Sequence, residues 1–246
     1  MECVSARWKL IILIGRTMSE VTTTTYLKNY EASPFRIKSV HLTFRLNPTN
    51  TIVIAKILFS PRKLNCNLEL DGVDLNLQKV QINGLNIDLN LLSIEHHILT
   101  VPNDLLPTDD FYWQAETIIS PQTNTSLDGL YLSSGTYCTQ CEAQGFRKIT
   151  YFLDRPDIMS TYTVRIEGQE PVLLSNGNQI SIGKGFTEWH DPWPKPSYLF
   201  ALVAGNLTSL NDTFKTKTGR TVDLKIFVKP ADIDKCTYAM DALKRS

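Results

Sequence analysis

Apolar and polar residues alternate with period 2 through Val40-His41-Leu42-Thr43-Phe44-Arg45-Leu46. Successive strand side chains point to opposite sides, so this pattern predicts a strand with one buried and one wet face, His41 on the wet one. The next run, Thr51-Ile52-Val53-Ile54-Ala55-Lys56-Ile57-Leu58-Phe59, is apolar on both faces, rich in β-branched residues and closed by Ser60-Pro61; it predicts a central strand. Asp71-Gly72 follows Leu68-Glu69-Leu70, and Asn83-Gly84 follows Val80-Gln81-Ile82. Both dipeptides supply the left-handed conformations of tight hairpin turns, so a hairpin is expected at each. Further strands are expected near 98–101, 111–119, 161–167, 171–174, 197–204 and 221–228, with Tyr162, Val164 and Ile166 on one face. Turn residues separate these runs and helical periodicity is nearly absent. The fold class this predicts is all-β, an antiparallel sandwich or saddle-shaped sheet.

The chain's two ends depart from that pattern. Over 230–246, Ile233, Cys236, Met240 and Leu243 recur at helical spacing, with Asp232 placed as the N-cap after Pro230. No Gly or Pro closes this helix, so the expectation is the first helix of a further domain; an ordinary C-terminal helix packed on the sheet is the alternative. Near the start, Leu10-Ile11-Ile12-Leu13-Ile14 is too short for a membrane helix of about 20 residues and for a signal-peptide core of about 7–15. Residues 1–17 are read as a non-native or disordered extension, with a targeting segment as the alternative. The β domain is then 18–229, and the helix 230–246.

Charge and cysteine content narrow the function classes. Among 246 residues, 25 Lys and Arg balance 25 Asp and Glu, so there is no basic excess of the kind that neutralises nucleic-acid phosphates or docks on anionic membranes. Neither a nucleic acid nor a membrane is an expected partner. Five cysteines form an odd, scattered set, unlike a secreted disulfide framework, which points to a reducing, cytoplasmic setting. The sequons at Asn124, Asn206 and Asn211 are then not expected to carry a glycan.

The candidate chemistry concentrates in GTYCTQCEAQGFRK, residues 135–148. Its Cys138 and Cys141 stand at C-x-x-C spacing, but no βαβ pattern surrounds them as a redox dithiol requires, and no second pair completes a zinc site. The histidines, His41, His96, His97 and His190, are isolated or adjacent. If Tyr137 to Glu142 is extended, the sulfurs of Cys138 and Cys141 point apart, whereas Gln140 and Glu142 project to one side. A carboxylate beside an amide is a receptor for an ammonium group, the first accepting with charge assistance and the second through an oriented carbonyl; a solvated polar face is the plainer reading. Adjacent His96 and His97 read as exposed loop residues. Asp191-Pro192-Trp193-Pro194-Lys195-Pro196 is a stiff, extended lead-in to a strand, with a short peptide-docking ligand as the alternative.

Three strings, YCTQCEAQGFRKITYFLDRPDIMSTYTVRIEG, PVLLSNGN and DPWPKPSYLFALVAGNL, closely resemble the bacterial aminopeptidase N family of zinc metallopeptidases. The resemblance runs from about Tyr26 to Ser246 and is densest over 129–207. It implies a saddle-shaped β domain followed by a thermolysin-like catalytic domain, of which 230–246 would be the first helix. It further implies that Gln140 and Glu142, matching the family's Q-x-E, line the S1 pocket and bind the substrate's free α-amine. The family's G-A-M-E-N segment and H-E-x-x-H zinc helix are missing, so no catalytic residue and no metal ligand is expected in this chain. Zinc is expected only in a full-length member, and the expected partners are a peptide N-terminus and the catalytic domain of the same polypeptide. The activity implied is removal of neutral or basic N-terminal residues. The alternatives from other classes are a non-catalytic β-sandwich binding module and a thiol-redox protein.

Overall fold

Burial follows the period-2 pattern through the first long strand, β1 (Phe35–Arg45), in a computed structural model that describes residues 26–246. Phe35, Ile37, Val40, Leu42 and Phe44 are buried, and His41 stays on the wet face. A bulge between Ile37 and Ser39 shifts the register, so Ile37 and Val40 both face inward although three positions apart. The 1–17 extension lies outside the described residues. Residues 26–32 belong to a separate short unit with one 3-10 turn, Leu27–Asn29, and 33–246 form the other unit.

In that larger unit the next strands are β2 (Thr51–Pro61), β3 (Leu68–Asp71), β4 (Asn76–Ile82), β5 (Leu85–Asn86), β6 (Ser93–Glu95), β7 (Ile98–Val101) and β8 (Phe111–Ile119). They are followed by β9 (Gly129–Ser133), β10 (Thr136–Gln140), β11 (Ser160–Glu167), β12 (Val172–Ser175), β13 (Asn178–Gly183) and β14 (Phe186–Lys195). The last strands are β15 (Leu202–Gly205), β16 (Thr208–Lys215) and β17 (Thr221–Val228), before a helix α1 (Cys236–Arg245). Eight strands form the main sheet in the order β13-β14-β11-β1-β2-β8-β4-β5, antiparallel except where β1 runs parallel to β11. A four-stranded sheet, β12-β15-β10-β9, shares one apolar core with it. Phe44 of β1 stacks on Phe200 with ring centroids 5.9 Å apart, and the hydroxyl of Thr187 and the indole N–H of Trp189 both donate to the carbonyl of Leu173. The short sheet β3-β7-β6 adds Leu68, Leu70, Leu99 and Val101 to the same core.

β2 is central, as its composition predicts, but only its inner face is fully buried; Ile52, Ile54 and Leu58 on the other face are half-buried. Asn83 and Gly84, both left-handed, make the expected hairpin between β4 and β5. Asp71-Gly72 does not make a hairpin. β3 pairs with β7, because Asp71 exchanges both backbone hydrogen bonds with Phe152 and the ring of Tyr151 lies against Gly72. His96 and His97, both with positive φ, form the two-residue turn between β6 and β7. At the end, a 3-10 turn Pro230–Lys235 precedes α1. Asp232 makes no capping bond; it pairs with Lys235 instead. Cys236 and Met240 are buried, as the helical spacing predicts, but Leu243 is exposed.

Candidate functional site

β10 ends at Gln140 because its partners run out there. Tyr137 and Cys138 pair with Ala204 and Val203 of β15, but beyond them the hydroxyl of Thr139 takes over, accepting from Leu202 N at 2.8 Å. Gln140 still faces Gly129 of β9. The chain then leaves the strand in a turn through Cys141, Glu142, Ala143 and Gln144 that closes where Gly145 N donates to Cys141 O at 2.9 Å. The Glu142–Ala143 peptide is cis.

Gly145 has ordinary right-handed dihedrals, so its requirement is space. A Cβ there would stand 2.4 Å from Gln140 O and 2.1 Å from Asp128 Oδ1. The expected extended run therefore holds only to Gln140, and Glu142 is carried by the turn.

The turn still brings the two predicted residues together. Gln140 and Glu142 are both exposed, and Gln140 Nε2 donates to the Glu142 carbonyl at 3.4 Å. That contact occupies the amide nitrogen and leaves the carbonyl oxygen as the acceptor end. Between them Cys141 points into the core at 2% exposure and pins the turn. The Glu142 carboxylate has no hydrogen bond or ion pair among the described residues. An exposed carboxylate and an adjacent amide oxygen together can accept from an ammonium group.

The two cysteines are placed differently, although Cys141 already lies beyond the strand. Cys141 is buried and Cys138 only half-buried, and both are free thiols. Burial pushes the Cys141 thiol up strongly, with the carboxylates of Asp154 and Asp128 adding to the shift. Burial also raises Cys138, against a smaller opposing effect of Lys229. A redox or nucleophilic cysteine needs the thiolate, so neither sulfur suits that chemistry.

Behind the turn lies an ionic cluster that sequence reasoning did not find. The Asp154 carboxylate, 1% exposed, accepts from Arg147 Nε at 3.0 Å, from Arg147 N at 3.2 Å and from the Ser197 hydroxyl at 2.6 Å. Arg147 Nη2 donates to Asp154 O at 3.1 Å, and Nη1 pairs with Asp71 Oδ1 at 3.2 Å. Asp71 in turn accepts from Asp154 N. Burial raises the Asp71 carboxyl, and Arg147 opposes the shift. The partners come from remote parts of the chain, so only the nearby Arg147 and Asp154 could have been suspected from their spacing.

The Asp191–Lys195 stretch ends β14. Lys195 turns inward, paired with Asp191 at 2.7 Å and 4.3 Å above the Tyr162 ring, while Trp193 is exposed. Among the described residues no group of three or more His, Cys, Asp or Glu side chains could hold a metal ion. No described helix is long and apolar enough to cross a membrane.

Residues 28–199 match the Peptidase M1 N-terminal domain. The chain is 45% identical to aminopeptidase N of Caulobacter vibrioides over 89% of its length, and 40% identical to that of Escherichia coli over 93%. It spans 26% and 27% of those relatives, about a quarter of each. Aminopeptidase A of Legionella pneumophila, solved with aspartic acid, superposes with a TM-score of 0.81 at 32% identity, covering 89% of this chain and 27% of that one. Yeast leukotriene A4 hydrolase with bestatin shares the fold alone, at 19% identity and a TM-score of 0.68, over 83% of this chain and 33% of that one. These relatives give no support to a non-catalytic binding module.

Proposed function

This chain belongs to the peptidase M1 N-terminal domain family, and on that premise we propose that it forms the amine-recognising quarter of a zinc aminopeptidase acting on peptides with neutral or basic N-terminal residues. The observation that carries this reading is the pairing of Gln140 with Glu142 on an exposed turn whose intervening residue, Cys141, is buried. With the backbone held in this way, the carboxylate is presented to the α-ammonium of a substrate and the amide oxygen shares it. Internal peptide bonds carry no such charge, so they gain nothing at this position. A buried anchor also means that the backbone beneath the carboxylate needs little ordering at the moment of binding, which favours correct placement of the scissile bond.

The family uses zinc, and the described residues supply no ligand set for it. In this reading the hydrolytic centre lies in the part of the aminopeptidase N relatives outside the quarter that this chain matches. This chain's share of the reaction is to bind the terminal amine, line the S1 pocket and orient the substrate.

A fusion tests the reading: this chain replaces the matching N-terminal quarter of a full-length bacterial aminopeptidase N, and hydrolysis of an alanyl anilide is followed. Glu142→Gln keeps the shape and removes the charge. It is expected to lower kcat/KM by about tenfold or more, the worth of one charge-assisted hydrogen bond. Unchanged kcat/KM in a correctly folded fusion refutes amine binding at Glu142.

A further inference from the structure

Among the described residues the Glu142 side chain makes no hydrogen bond or ion pair, and the bond that its backbone carbonyl accepts from Gln140 is a long 3.4 Å. Its position must therefore come from the backbone on either side. On one side Cys141 is sunk in the core. On the other, the chain runs through two consecutive turn bonds, Gly145 N to Cys141 O at 2.9 Å and Lys148 N to Gly145 O at 3.0 Å, directly into Arg147.

Arg147 is held harder than its neighbours. Its backbone N–H, Nε and Nη2 all donate to Asp154, Nη1 faces Asp71, and its carbonyl accepts from Val73 N at 2.9 Å. The far oxygen of Asp154 is fixed by Ser197. The planar guanidinium fork fits two carboxylates and a carbonyl at once, which a lysine ammonium cannot do.

We propose that Arg147 is a positioning residue for Glu142: the Asp71–Arg147–Asp154–Ser197 cluster sets where the turn leaves the core, and so where the amine-binding carboxylate stands. The assignment rests on the amine-binding reading of Glu142 for its functional consequence, though not for its structural one. A cluster of this kind adds little net stability compared with apolar packing, but it selects one geometry. The aromatic contacts beside it, Phe146 with Phe152 at 4.8 Å and with Phe200 at 5.3 Å, hold the segment in the core independently.

The test uses Arg147→Lys, Arg147→Gln and Ser197→Ala, with Arg165→Gln as control. Arg165 makes a comparable pairing with Glu167 and Glu188 on the main sheet's outer face. Amide and Gln140 side-chain resonances are read by NMR in the full chain, and kcat/KM for an alanyl anilide in the fusion. The Arg147 variants should move the resonances of 140–145 and leave β4 and β5 unmoved. A displacement of about 1 Å at a bound substrate costs on the order of a hundredfold, so kcat/KM should fall about tenfold to a hundredfold in Arg147→Gln. Arg147→Lys should recover part of it, and Arg165→Gln should change neither reading.

Unmoved turn resonances in both Arg147 variants overturn the proposal. Global unfolding of both Arg147 variants and of Ser197→Ala also overturns it, since the cluster would then serve the whole fold. A moved turn with unchanged kcat/KM leaves the positioning intact and removes the amine-binding role of Glu142.

Discussion

Gly145→Ala adds one methyl group at the point where the candidate site is most crowded. The new Cβ would lie 2.4 Å from the backbone oxygen of Gln140 and 3.0 Å from Cys141 Cα, besides 2.1 Å from Asp128 Oδ1. The Asp128 side chain can swing aside. The Gln140 carbonyl cannot, because it belongs to the last residue of β10, paired with Gly129. Forcing a methyl into such a site costs about 1–3 kcal/mol. Against this, alanine loses less backbone freedom on folding, and at φ −82° and ψ −16° it sits without strain, which returns about 0.4–1 kcal/mol. The net expectation is a loss of about 1–2 kcal/mol. For a chain of this size that lowers Tm by about 2–8 °C. Thermal denaturation followed by circular dichroism reads the shift, with Gly135→Asn as the comparison. Gly135 is left-handed at φ +80° with no atom within 4 Å of an added Cβ, so asparagine should leave Tm nearly unchanged. A Gly145→Ala chain as stable as the parent would refute the steric reading of the turn.

Three further outcomes are expected. Asp154→Ala removes a buried carboxylate and leaves Arg147 only its pairing with Asp71, and should destabilise the chain by about 3 kcal/mol in urea denaturation; a loss below about 1 kcal/mol would mean that the cluster is solvated. Partial desolvation among its neighbours on the outer face, then the nearby charges of Lys56 and His190, lower the pKa of His41. The unfolded chain therefore binds this proton more readily, and stability present above about pH 6.5 is lost as pH falls through the folded value. His41→Gln should flatten the Tm profile between pH 5 and 7.5, and an unchanged slope would contradict the shift. Finally, Cys141 should resist iodoacetamide at pH 8 in the folded chain while Cys138 reacts slowly, read by mass spectrometry; rapid formation of a Cys138–Cys141 disulfide would contradict the divergent placement.

The strands were legible where burial alone decides them. Val40, Leu42 and Phe44 announce one face of β1, and Tyr162, Val164 and Ile166 one face of β11, because a one-residue slip would turn every one of them to water. Asn83-Gly84 was legible because its turn is local, whereas Asp71-Gly72 carries the same chemistry and yields to remote partners, Phe152 and Tyr151. β16 hides in T-S-L-N-D-T-F-K, where half-exposed positions blur the alternation. At the site, assumed alternation grouped Gln140 with Glu142 and set the sulfurs apart, but the strand stops at Gln140, short of both Cys141 and Glu142, and a turn carries the rest. The cluster anchoring the turn was illegible, since Asp154 and Ser197 lie 43 residues apart in sequence and Asp71 and Asp154 lie 83 apart. No local pattern encodes such a meeting.

The parallel pair at the middle of the main sheet has a consequence for how the protein is made. Arg45 of β1 and Glu167 of β11 face each other 122 residues apart. On the ribosome, β1 can pair with β2 early, but its other edge stays open until β11 has been synthesised. For that interval a strand carrying Val40, Leu42 and Phe44 presents unpaired backbone groups to any neighbour. Closure of that central seam is a slow, long-range event in assembly, so a nascent chain stalled before residue 160 would be a substrate for chaperones, and a released one a seed for aggregation.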